Sequence, residues 1–167
     1  TKDIDDVDIS TGSVGLGVAM TSFLSLTQDY IRKKKFNKYQ KKGKMIALVG
    51  DAELDEGNIY ECLQEGWKHD LRNVWWIIDY NRQSLDGVVH EGLWEKIDSV
   101  FKSFGWNVVV IKYGELQLNA FNEPGGEKLK EWIDNCPNQL YSALIFEGGK
   151  AIKERILDDI GDQGNIS

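Results

Sequence analysis

Asp51 and Asn81 are the residues of this chain best placed to do chemistry together. Asp51 sits in Gly50-Asp51-Ala52-Glu53-Leu54-Asp55-Glu56, just after the apolar run 45–49. Asn81 opens Asn81-Arg82-Gln83-Ser84-Leu85-Asp86-Gly87, just after the apolar run 74–78 and Asp79. The two loops offer a carboxylate, an amide oxygen and the backbone carbonyl oxygen near Gln83. That donor set is hard and made only of oxygen. It suits magnesium, which takes one or two carboxylates and completes its octahedron with phosphate and water oxygens. Calcium would want more protein oxygens, and a redox metal would want histidine or cysteine. The N–H groups after Gly50 add a nest for phosphate oxygens. A diphosphate bridged by magnesium satisfies both loops at once. The plainer reading is an Asp that caps a helix and an Asn that begins a turn. The joint spacing favours the ligand reading.

The elements must bring the loops to one edge. Asp51 and Asn81 are 30 positions apart, the length of one strand–helix–strand unit. The pattern predicts strands over 44–49 and 74–79, a helix over 58–70 and another over 93–104. A third strand is predicted over 106–111, rich in β-branched residues. Apolar strands alternating with amphipathic helices imply an α/β fold, a parallel sheet with helices on both faces. In such sheets ligands sit past the carboxyl ends of the strands. Before the first strand, Ser10-Thr11-Gly12-Ser13-Val14-Gly15-Leu16-Gly17 opens a helix of small residues reaching about Tyr30. After Lys112 the pattern changes to a helix over 127–134, a stop at Cys136-Pro137-Asn138 and a last helix over 151–160. The first eight residues are polar and expected to fray, and the tail 161–167 is polar. The whole reads as the central part of one domain, with an α/β core over 10–112 and a helical insertion and tail over 113–167.

Bulk properties narrow the function. The chain has 167 residues and a net charge of −7, which argues against a dedicated nucleic-acid binder. Eight of its 20 basic residues cluster between Arg32 and Lys44, as a solvated helix end or a docking patch for an acidic partner. Cys62 and Cys136 are expected to be free, buried thiols. His69 reads as a helix-end residue, and neither it nor His90 lies in a nucleophile motif. No apolar run approaches the roughly 20 residues needed to span a bilayer. A cytoplasmic location is expected.

Gly50-Asp51-Ala52 with Asn81 resembles the cofactor motif of the thiamine-diphosphate-dependent, transketolase-like enzymes. Within that group the two loops most resemble the homodimeric type of pyruvate dehydrogenase. Phe104-Gly105-Trp106-Asn107-Val108 is similar to a strand of both groups. Lys112-Tyr113-Gly114, Glu123-Pro124-Gly125-Gly126 and Trp132-Ile133-Asp134 resemble an insertion on the dehydrogenase side. The resemblance implies that Asp51, the Asn81 side chain and the Gln83 carbonyl bind magnesium. It places Gly50, Ala52 and Glu53 along the diphosphate, Gly12, Ser13 and Val14 near the aminopyrimidine, and Leu85 beside the cofactor. Glu56 matches an acidic residue near a dimer interface. Two positions depart from the pattern: Ala52 stands for a glycine and Asp79 for an asparagine.

The activity so implied is decarboxylation of pyruvate and acetyl transfer to a lipoyl-bearing acyltransferase component. The family's essential glutamate comes from a pyrimidine-binding domain of the same or another protomer, in a homodimer. No segment here matches that domain, so the chain alone is expected to be inactive and to hold no catalytic residue. Two alternatives remain open: a transketolase moving ketol units between sugar phosphates, and a non-enzymatic acidic interaction module.

Overall fold

The computed structural model describes residues 7–36, 43–84 and 87–161. Asp3, Asp5 and Asp6 of the expected lead-in, Lys38, Lys41, Lys42, Leu85 and the tail beyond Gly161 lie outside the described residues. The chain forms two compact units, one of Thr1–Leu85 with Trp94–Val108, the other of Asp86–Leu93 with Val109–Ser167.

The first unit is built on α1 (Leu16–Lys33), β1 (Met45–Gly50), a 3-10 turn (Asp51–Asp55), α2 (Gly57–Lys68), β2 (Val74–Asp79), the short β3 (Gln83–Ser84) and nearly all of α3 (Leu93–Ser103). β1 and β2 pair in parallel, with Met45 opposite Val74 and Gly50 opposite Asp79. This is the mixed α/β architecture with a parallel sheet that the periodicity implies. Strand side chains alternate between faces. Ala47 and Val49 point inward and join Val18, Leu54, Ile59, Leu63 and Phe101 in the core. Trp76, Ile78, Trp106 and Val108 pack on that cluster. The indole N–H of Trp76 donates to Thr21 Oγ1 at 2.9 Å. Its rings meet Phe101 at 5.7 Å edge-on and Trp106 at 4.6 Å. The other face carries Ile46, Leu48, Trp75 and Ile77, all exposed. Helical cover is expected on both faces; within the first unit the helices pack on the Ala47 and Val49 face.

Asn73 fastens the start of the strand pair. Its carbonyl accepts the Met45 N–H at 2.8 Å. Its side-chain amide donates to Gln28 Oε1 at 2.9 Å and the Gly43 carbonyl at 3.2 Å. The Ser25 hydroxyl donates to Asn73 Oδ1. Buried polar groups need such partners, and here they tie α1 to both strands.

The expected third strand is absent: residues 106–114 carry no strand. Trp106 and Val108 turn onto the core while Val109, Val110 and Ile111 are exposed. Propensity marks the run as strand-like, but a strand exists only where another pairs with it. Cys62 and Cys136 are free and buried, and His69 caps the C-terminus of α2. No helix among the described residues is long and apolar enough to cross a membrane.

The second unit holds the short β4 (Gly87–Val88) and four helices, α4 (Glu115–Phe121), α5 (Gly126–Asn135), α6 (Asn138–Glu147) and α7 (Gly149–Ile160). α4 and α6 escape the sequence reading. Pro137, read as a stop, instead stands at the N-cap of α6, ahead of the positions where its missing N–H would cost a helical hydrogen bond. Asn138 anchors that start: its N–H donates to Glu91 Oε1 at 2.6 Å and its amide to the Val89 carbonyl at 3.0 Å.

Asp134 on α5 gathers Lys112 at 2.6 Å, Lys130 at 2.8 Å and the Tyr113 hydroxyl. Partial burial works to raise its carboxyl, but the hydrogen bonds from Lys112, Lys130 and Tyr113 overcome this and hold it well below the usual carboxylate range. A lowered folded-state pKa stabilises the fold above the unfolded value, and that contribution is lost as pH falls. Asp134→Asn should therefore destabilise the protein at neutral pH. The gap from wild type should close as pH falls below 3.8, the ordinary value. Urea unfolding across that range checks this, and a gap that persists at low pH would contradict it.

Candidate functional site

Register makes the site. Because Gly50 lies beside Asp79, the loops that follow β1 and β2 emerge side by side at the carboxyl end of the sheet. An open cavity of about 390 Å³ lies there, lined by Leu48, Val49, Gly50, Ile77, Ile78 and Asp79.

Asp51 is the first residue of the 3-10 turn and is 5% exposed. Its Oδ2 accepts the Arg82 N–H at 3.0 Å, and its Oδ1 accepts the Ala52 N–H at 3.0 Å. Burial raises the carboxyl above its usual range, and the backbone N–H groups of Arg82, Ala52 and Asn81 work against that rise. No Lys or Arg side chain pairs with Asp51 among the described residues. A buried carboxylate held by backbone dipoles alone, without a cation, is a costly arrangement that a metal ion would relieve.

Asn81 faces solvent, and its Oδ1 accepts the Gln83 N–H at 2.9 Å, an Asx turn. Arg82 between them takes a left-handed φ of 65°. That conformation disfavours a side chain by roughly 1–2 kcal/mol. In this turn the Arg82 N–H donates to Asp51 Oδ2. The structure therefore brings Asp51 and the Asn81–Gln83 turn together. Both expected side-chain ligands already accept backbone N–H groups and keep further lone pairs for an ion.

The remaining expected residues divide. Gly12, Ser13 and Val14 are exposed, and the Ser13 N–H donates to Thr11 Oγ1 at 3.0 Å. Gly15, which the residue patterns did not single out as a site residue, is buried at the N-cap of α1 with φ 77°. A Cβ there would sit 2.6 Å from Asn58 Oδ1 and 2.9 Å from Glu56 Cβ. The glycine-rich segment thus presses against the start of α2. Glu53 accepts the Gly15 N–H on Oε2 at 3.1 Å and the Gly50 N–H on Oε1 at 3.3 Å. Glu56 is exposed. Ala52 is not among the residues with positive φ, so alanine brings no left-handed strain to that position. Of the N–H groups after Gly50, expected to face phosphate, that of Ala52 is engaged by Asp51, and the N–H of Gly50 itself is engaged by Glu53. Asp79 is exposed. Tyr80, which the sequence did not flag, has its hydroxyl pushed upward by burial and by the Asp51 charge.

Comparison with known proteins bears on this arrangement. A family model described as "Transketolase, thiamine diphosphate binding domain" matches residues 1–123. The transketolase of Staphylococcus aureus (strain MW2) is 29% identical over 116 residues, which is 66% of this chain and 17% of that protein. The dihydroxyacetone synthase of Pichia angusta is 27% identical over 167 residues, 94% of this chain and 23% of that protein. One of the subunits of the apulose-4-phosphate transketolase of Phocaeicola vulgatus is 30% identical over 124 residues, 70% of this chain and 39% of that protein. The chain thus spans well under half the length of each. These likenesses favour the transketolase alternative over the dehydrogenase.

Gly15→Ala is expected to destabilise the first unit by more than about 1 kcal/mol, from left-handed strain together with the close approach to Asn58. Chemical denaturation measures it. A neutral substitution would mean that α1 and α2 do not meet as described.

Proposed function

The chain belongs to the transketolase, thiamine diphosphate-binding domain family, and on that premise we propose that it holds the diphosphate end of the cofactor through magnesium. The enzyme would be one that moves ketol units between sugar phosphates. The observation that carries the reading is Asp51: a buried carboxylate, free of any cationic side-chain partner among the described residues, facing the Asn81–Gln83 turn. Asp51, Asn81 Oδ1 and the Gln83 carbonyl would supply three hard oxygens. The cofactor's diphosphate and water would supply the remaining oxygens. Burial of Asp51 strengthens its attraction for the ion, because little water screens it.

When bound, the cofactor's thiazolium supplies the nucleophilic carbon and the electron sink. This chain's residues bind and orient. Asp51 neutralises part of the metal charge, the Asx turn fixes Asn81 Oδ1, and the exposed Gly12–Ser13–Val14 backbone meets the far end of the cofactor. A pyrimidine-binding domain from the same or another protomer would complete the site, with Glu56 at the junction of a homodimer. The dehydrogenase reading, with its lipoyl-bearing partner, rests on the loops 50–56 and 81–87 and on the segments 112–114, 123–126 and 132–134, and the named relatives do not support it.

Calorimetric titration tests the proposal on the assembled protein. Thiamine diphosphate should bind only with magnesium present, and Asp51→Ala should weaken it by more than about a hundredfold, beyond the loss typical of an outer-shell partner. Unchanged binding in Asp51→Ala would refute the metal assignment. With cofactor loaded, a ketose phosphate and an aldose acceptor should turn over where pyruvate does not.

A further inference from the structure

We propose that Glu53 is a positioning residue that sets the distance between the two ends of the cofactor site, and this rests on the reading given above. Sequence resemblance puts Glu53 along the diphosphate. Chemistry argues against that place, because a carboxylate beside a diphosphate is a like-charge contact. The structure gives Glu53 other work. Its two oxygens are divided between two backbone donors far apart in the chain, Gly15 N–H at 3.1 Å and Gly50 N–H at 3.3 Å. Hydrogen bonds from backbone N–H to a carboxylate are among the stronger kinds.

Each donor anchors one half of the site. Gly15 follows directly on the exposed Gly12–Ser13–Val14 backbone and takes φ 77°. That conformation turns the chain into α1. Gly50 is the last residue of β1 and directly precedes Asp51. One side chain therefore ties the glycine-rich segment to the metal loop, with one oxygen given to each side. The metal loop itself has separate supports: Arg82 N–H on Asp51, and the ladder with β2. Removing Glu53 should leave the metal loop in place and loosen the hold of the glycine-rich segment on it.

A ligand that touches only the loop separates this role from general support of the fold. On the assembled protein, affinities for magnesium with thiamine diphosphate and for magnesium with inorganic diphosphate are measured in wild type, Glu53→Gln and Glu53→Ala. Glutamine keeps length and volume but accepts only one of the two N–H groups. The expected result is a fall of about tenfold or more for thiamine diphosphate, with diphosphate changed less than about twofold, and faster amide exchange at Gly15. Equal losses for both ligands, or no loss for either, would overturn the inference while leaving the cofactor reading intact. Failure of the wild type to bind thiamine diphosphate would remove that reading and this inference with it.

Discussion

The pairing of β1 with β2 in one register governs everything at the site. Met45 opposite Val74 leads to Gly50 opposite Asp79, and so to Asp51 within hydrogen-bond reach of Arg82. Strand side chains alternate, so a slip of one residue would turn Ala47 and Val49 out of the core and displace the loop by about 3.3 Å. Two features lock the register. Hydrophobic alternation places Val49 at 1% exposure while Leu48 stands at 79%. At the opposite end, Asn73 binds Gln28, Gly43 and Ser25 and accepts from Met45. The amino end of the sheet is thus fastened by a polar knot, and the carboxyl end is left to ligand chemistry.

The polar side chains at that end are arranged by depth. Asp51 is buried and has backbone donors, Asn81 is exposed and held by its own turn, and Glu53 has both oxygens occupied. Three acidic or amide side chains within one small region therefore have three distinct tasks. What distinguishes them is which backbone N–H groups each one meets. Arg82, which lends Asp51 its N–H, is itself a non-glycine residue in a left-handed conformation, so the turn carries a local backbone cost.

Much of this was legible in the sequence. The bounds of β2 and the near bounds of α2 and α3 follow from runs of apolar residues and helical spacing. The meeting of Asp51 with the Asn81 turn follows from the length of one strand–helix–strand unit. The rest depends on partners that local pattern does not contain. Residues 106–111 have the composition of a strand and pair with none among the described residues. α6 begins after a proline that reads equally well as a stop. The contact of Glu53 with Gly15 spans 38 residues, and no spacing rule announces it. Gly15 itself carried a signal, being one of several glycines before α1. Only its closeness to Asn58 and Glu56 separates it from Gly12.

The packing of helices on the Ala47 and Val49 face of the sheet has a bearing on how the chain reaches its native state. A parallel two-stranded pair has no turn to bring its strands together, and Met45 must find Val74 across all of α2. Such non-local closure is entropically slow, and an isolated strand pair is at best marginally stable in water. Leu63 and Ile59 of α2 and Val18 of α1 provide the surface on which Ala47 and Val49 settle. The strands therefore gain stability only as the helices dock. The strand ladder and the helical layer thus depend on each other for stability, and the paired loops depend on both.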